Sequence, residues 1–165
     1  MNMTLLLPIP LRQRLEVELT RAARNEIGGI LMGRDLGGGT FRIEELQVQR
    51  HGGSIAYFLR QVQNLIVPLE RFFDRTGHRY TEFNYLGEWH SHPSFALVPS
   101  HCDQTSMHEI VNDLEVGAIF AILLIVKLDG AKQLRARAYM FIPNQPYVEV
   151  ALKQEEYEQT AYLHG

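Results

Sequence analysis

Short apolar runs alternate along this chain with charged amphipathic stretches, and the period of each predicts an element. In Leu11–Arg24 (LRQRLEVELTRAAR), Leu11, Leu15, Val17, Leu19 and Ala22 fall near one helical face and the charges elsewhere, which predicts a helix ending near Asn25. Ile27–Arg34 (IGGILMGR) is apolar and glycine-rich, as a buried strand entered through a close backbone approach would be. Asp35–Thr40 (DLGGGT) reads as a turn and Phe41–Gln49 as a second strand. From Ile55 to Arg75, the residues Phe58, Val62, Leu65, Ile66, Leu69, Phe72 and Phe73 recur at three- and four-residue steps, predicting a helix that Pro68 kinks or breaks. Tyr85–Trp89 predicts a short buried strand that delivers His90 at its end, and Ser100–Leu114 a third helix. Gly117–Leu128 is the strongest strand candidate; Asp129 and Gly130 turn into Leu134–Ile142, and Tyr147–Leu152 adds another strand. The opening MNMTLLLPIPLRQ is an apolar run broken by Pro8, with no element assigned. This order predicts a single α/β (α+β) domain over residues 1–152, one sheet covered by helices, followed by a charged tail at 153–165 that is helical or unstructured.

Composition narrows the function classes. A chain of 165 residues with 45% hydrophobic and 21% charged residues is an ordinary globular domain, long enough to bury a substantial core. A net charge of −3 gives no general attraction for nucleic acid. The single cysteine, Cys102, cannot form an internal disulfide, which suits a reducing compartment, and excludes cysteine-rich zinc knuckles and the two-cysteine deaminase pattern. The opening run has no leading positive charge and does not read as a signal peptide. The longest apolar run, Val116–Val126, falls well short of the roughly 20 residues a bilayer span needs. A cytoplasmic protein with neither membrane nor nucleic-acid partner is expected.

The chemistry concentrates in GEWHSHPSFALVPSHCDQ, residues 87–104. His90 and His92 are two apart; on extended backbone both rings share one face, whereas a helix would splay them by about 200°. Pro93 favours the extended geometry for His92. Asp103, in the first turn of the helix after Pro99, is the natural third ligand of a site built from two imidazoles and a carboxylate. Ser100 and Asp103 equally match a capping box, a reading that accounts for neither histidine. A water activated by a divalent ion needs a base. Glu26, a lone carboxylate at the mouth of the glycine-rich strand, reads by itself as a solvated residue at a helix–strand junction.

Taken together, E-x-G-G-[apolar]3-G from Glu26 and H-S-H-P-x6-S-x2-D from His90 resemble the JAMM (JAB1/MPN/Mov34-type) zinc metalloproteases over nearly the whole chain. The resemblance implies a JAB/MPN-like domain with a mixed, curved sheet flanked by helices, and one Zn2+ per chain held by His90, His92 and Asp103. It implies catalytic roles for Glu26 as general acid/base and for Ser100 as hydrogen-bond donor to the oxyanion. The implied activity is hydrolysis after the C-terminus of a ubiquitin-like protein, by deconjugation or precursor processing, with the substrate tail paired along an exposed strand edge. Tyr85–Pro93, with Tyr57, Phe58, Leu59 and Arg60, is similar to a compact bacterial branch encoded beside activating and conjugating enzymes of ubiquitin-like systems, antiviral defence included. Three alternatives stand beside this: a sulfur-carrier processing protease, a non-catalytic MPN-type scaffold, and a DNA-associated relative of the RadC-like kind.

Neighbouring residues carry less. His101 and His108 read as surface or capping residues, Cys102 as packing or exposed, and Trp89 as core. Glu88 shares the face of His90 if the strand is regular, and would then stand behind the ligands. His51, His78 and His164 carry no argument.

Overall fold

The computed structural model describes residues 2–50 and 62–155. Among these residues, seven strands and three helices run in the order β1 (Thr4–Pro8), α1 (Ile9–Ala22), β2 (Gly28–Gly37), β3 (Thr40–Leu46), α2 (Val62–Arg75), β4 (Phe83–Ser91), α3 (His101–Asn112), β5 (Ala121–Leu128), β6 (Leu134–Phe141) and β7 (Val148–Glu155). The mixed sheet closes on itself in the order β1-β3-β2-β4-β5-β6-β7, with β7 returning to β1. The pairs β1–β3, β1–β7 and β4–β5 are parallel, and the other four are antiparallel.

Three apolar layers hold this sheet. Leu15 and Leu19 of α1 pack with Trp89, Ile122, Leu124 and Val126. On the opposite face, Met107, Ile110 and Val111 of α3 cover Ala121, Leu123 and Ile125, while Phe72 of α2 covers Ile30, Met32 and Phe83. Helices on both faces explain why β5 is an unbroken apolar run from Ala121 to Val126, buried at every position, rather than an alternating one. Each isoleucine, leucine or valine in it contributes about 1.5–3 kcal/mol on burial. Trp89 is fully buried, and its indole N–H donates to Gln47 O at 2.8 Å.

Several boundaries differ from the periodicity. The opening run forms β1, an element that the three leucines before Pro8 do not announce; its identity comes from parallel partners far along the chain, Thr40–Arg42 and Ala151–Glu155. That pairing carries β7 to Glu155, three residues beyond the expected domain end at 152; the tail after Glu155 lies outside the described residues. Pro10 sits in the first turn of α1, where its missing N–H costs nothing, so the helix starts two residues early. Ala23, at φ 54°, ends it before Asn25. The expected turn at Asp35–Thr40 shrinks because β2 runs on to Gly37. The helix α2 continues through Pro68; the expected start at Ile55 lies outside the described residues. The strand predicted from Gly117 begins at Ala121, since Gly117 has a φ of 62°. Closure also gives each described strand a neighbour on both sides, so the continuous open edge expected for a substrate tail is not present among them. No helix among the described residues is long and apolar enough to cross a membrane.

Irregularity in β4 positions the chemistry. Leu31 pairs with Gly87 but Met32 with Tyr85, so Leu86 is one residue too many. Gly87 absorbs the bulge at φ 146°, and a Cβ there would lie 2.0 Å from Ile122 O. Beyond the bulge the strand is regular: Glu88–Ser91 pair in register with Leu123–Val126.

Candidate metal centre

Because β4 is regular after Gly87, Glu88 and His90 point to the same side, and His92 follows the same alternation. His92 N donates to Val126 O at 2.9 Å, which keeps the segment extended one residue past the strand. The Nε2 atoms of His90 and His92 lie 2.7 Å apart. Each is 3.5 Å from Asp103 Oδ2. All three residues are buried, and their ligand atoms fall within 4.8 Å of one another.

Asp103 reaches this point from the first turn of α3, and both sequence readings of the Ser100–Asp103 pair hold at once. Ser100 Oγ accepts from Asp103 N at 3.1 Å and Asp103 Oδ2 accepts from Ser100 N at 2.7 Å, a complete capping box. The cap fixes the carboxylate whose Oδ2 also faces the imidazoles. Burial alone would raise the Asp103 pKa; hydrogen bonds from His90 and His92 outweigh it and hold the carboxyl far below its usual range. In return, the hydrogen bond to Asp103 raises the pKa of His92, against its partial desolvation, with the Ala96 carbonyl and the charges of Asp103 and Glu26 adding to the rise.

Glu26 arrives from the other side. The β2–β4 register pairs Gly28 with His90. Two residues earlier in the chain stands Glu26, whose charge acts on His92. Ile27 and Ser91, between them, are tied twice: Ile27 N donates to Ser91 Oγ at 3.0 Å, and Ser91 N donates to Ile27 O at 2.9 Å. Glu26 is exposed, while Ser91 is fully buried. A Cβ at Gly28 would meet Trp89 O at 2.5 Å and His90 Cβ at 3.1 Å, so this approach of the strands requires glycine.

The donor set fits a small divalent ion. Tetrahedral zinc at about 2.0–2.1 Å from its ligands implies donor–donor edges of about 3.3–3.4 Å. The two His–Asp edges match this, and the imidazole nitrogens would part by roughly 0.6 Å. His92 Nδ1 lies 2.8 Å from Ala96 O and so carries its proton there, leaving Nε2 free for the ion.

Behind the ligands, Glu88 is 1% exposed, and burial pushes its carboxyl up to about 8 against the modest opposing effect of the Tyr85 hydrogen bond. Tyr85 Oη donates to Glu88 Oε1 at 3.4 Å. Spacing alone would put residues 85 and 88 on opposite faces; the bulge brings them together. The other candidates lie apart from the cluster. Cys102 and His101 are exposed, and His108 packs edge-on against Phe141 at 5.2 Å. His78 is exposed and contacts Tyr80 and Asp74. His51, His164 and the Tyr57–Arg60 segment lie outside the described residues. Sequence reasoning missed Ser91, and its place between two metal-ligand candidates was the available signal.

A model of the prokaryotic homologs of the JAB domain matches residues 8–141, and the chain belongs to that family. The fold is shared with the solution structure of protein DSY2949 from Desulfitobacterium hafniense, with a TM-score of 0.65 at 17% identity, covering 98% of this chain and 99% of that one. No curated protein matches the chain. A buried His90, His92 and Asp103 group able to hold a metal ion, in a JAB domain, is thus what fold and site define.

Proposed function

We propose that the protein is a zinc-dependent peptidase or isopeptidase that hydrolyses the bond following the C-terminus of a ubiquitin-like protein. The observation that carries this reading is the convergence of the buried ligand atoms of His90, His92 and Asp103; the charge of the exposed Glu26, acting on His92, supports its part in it. Family membership supports metalloprotease-like chemistry on this domain.

His90, His92 and Asp103 would hold the ion, which supplies Lewis acidity toward a carbonyl oxygen and toward water. Glu26 takes a proton from water as it attacks the carbonyl carbon, then returns that proton to the departing amine. Ser100 is exposed beside Asp103; its hydroxyl can accept from Asp103 N and donate at once, and it donates to the carbonyl oxygen as that atom gains charge. No acyl-enzyme forms. The departing amine is a lysine side chain in a conjugate or an α-amino group in a precursor.

An exposed aromatic side chain beside the ligands supports a peptide substrate. Phe95 is 62% exposed with its ring 6.3 Å from that of His92, and Lys127 Nζ donates to Phe95 O at 3.1 Å, tying this loop to β5. In this reading the partners are a ubiquitin-like protein and the activating and conjugating enzymes that attach it, in a cytoplasmic, antiviral setting.

The test is to incubate zinc-loaded protein with ubiquitin-like proteins fused to a reporter and read the cut position by mass, with chelated protein as control. Chelator-sensitive cleavage directly after the ubiquitin-like C-terminus is expected. Zinc binding with no cleavage of any fusion or conjugate would replace the peptidase with a scaffold module, and cleavage confined to sulfur-carrier fusions would move the substrate class.

A further inference from the structure

The two imidazoles differ in one respect that the ligand set alone does not explain. His92 has its Nδ1 proton accepted by Ala96 O, whereas His90 Nδ1 is buried with no hydrogen-bond partner. While the two Nε2 atoms share a hydrogen bond at 2.7 Å, the His90 proton can reside on Nε2, and Nδ1 tolerates having no acceptor. An ion bound to Nε2 forces that proton onto Nδ1, and a buried N–H without an acceptor costs about 1–3 kcal/mol. Metal-ligating histidines almost always give that proton to a carboxylate, a carbonyl or water.

One pleat back on the same face of β4 lies Glu88, 1% exposed, whose Oε2 is likewise buried and without a partner. Its other oxygen, Oε1, is held by Tyr85 Oη. We infer that Glu88 is a positioning residue for the metal centre: its free Oε2 accepts the Nδ1 proton of His90, completing a Tyr85–Glu88–His90 chain that sets the tautomer and ring orientation of the ligand. The Leu86–Gly87 bulge is what allows the chain, because it turns Tyr85 onto the face of Glu88. Two buried polar atoms with no partner thereby become one hydrogen bond.

This inference rests on the metal-centre reading, and the experiment separates the two without measuring cleavage. Zinc affinity is measured by competition with a chromophoric chelator for the unaltered protein, Glu88→Gln and Glu88→Ala. The histidine ring nitrogens and the imidazole N–H protons are followed by NMR in the zinc-loaded forms. Unaltered protein should show a hydrogen-bonded Nδ1 proton on both His90 and His92. In Glu88→Ala the His90 proton should shift or exchange away, His92 should stay unchanged, and zinc affinity should fall by about 10–100-fold. Glu88→Gln preserves shape and an acceptor oxygen, so it should recover most of the affinity while moving the His90 resonance. A His90 resonance indifferent to Glu88→Gln, with zinc still bound, overturns the inference alone. Unaltered protein that binds no zinc overturns the metal-centre reading with it.

Discussion

Ile27 and Ser91 exchange two hydrogen bonds, one through backbone and one through the serine hydroxyl, and this clamp anchors the residue next to Glu26, whose charge acts on His92. Ser91→Ala leaves the Ile27 N–H buried without its acceptor, at a cost of about 1–3 kcal/mol. It should also loosen Glu26, so turnover should fall while zinc remains bound. Ser91→Thr keeps the hydroxyl and should restore turnover; urea unfolding, zinc content and cleavage rate measured on the same samples check the three parts. Unchanged turnover in Ser91→Ala would mean that the clamp is structural only.

Glu26 itself is exposed, and its removal should alter stability by less than about 0.5 kcal/mol. Glu26→Gln should bind zinc normally and lose about 10²–10⁴-fold in turnover, the usual scale of a positioned acid–base group. A zinc-loaded, fully active Glu26→Gln protein would remove the residue from the mechanism.

Ser100 serves the helix as well as the proposed chemistry, and the two contributions can be measured apart. Ser100→Ala should cost about 1 kcal/mol through the lost cap, seen in unfolding, and about 10²-fold in turnover through the lost oxyanion donor. A destabilised variant with near-normal turnover would leave Ser100 as a cap and nothing more.

Asp103→Asn retains an oxygen that can accept from Ser100 N but loses the anionic ligand. Its circular dichroism should match that of the unaltered protein, while zinc no longer raises its melting temperature. For the unaltered protein, zinc at about a hundred times its Kd should add about 2.7 kcal/mol, lost on chelation. Equal stabilisation of both proteins by zinc would place the ion elsewhere.

Zinc binding should also release protons. Hydrogen bonding to Asp103 raises the pKa of His92, so the metal-free imidazole holds its proton to higher pH than usual, and the ion must displace it. Affinity should therefore weaken as pH falls through that raised pKa and level off above it. Calorimetry in two buffers of different ionisation enthalpy gives the proton count directly; heats that do not depend on the buffer near neutral pH would contradict it.

How much of this was legible in the sequence follows from the range of each interaction. His90 and His92 are two residues apart on one strand, and Asp103 lies in the first helical turn after a seven-residue loop. Their convergence needs only extended backbone followed by a capped helix, both of which local residues specify. Glu26 needed a resemblance to gain a role, because its neighbourhood with His92 depends on the antiparallel pairing of β2 with β4, strands far apart in sequence. The first strand was invisible for the same reason: Thr4–Pro8 has no local signal that outweighs Pro8, and only its parallel partners define it. Glu88 was legible from its alternation with His90, but its contact with Tyr85 was not, because alternation separates the two and the bulge at Leu86, absorbed by Gly87, reverses that. What local periodicity does convey is the helical and central-strand framework; what it omits is closure.

The seam between β1 and β7 has its own consequence for how the molecule forms. Residues 4–8 cannot pair with β7 until residues 151–155 exist, so a ribosome must have made nearly all of the described chain before the cylinder can shut. Until then β1 has only β3 beside it, and the hydrogen-bonding groups that β7 will later occupy face solvent. The interval between synthesis and closure is therefore when this protein is most exposed to pairing with the wrong strand.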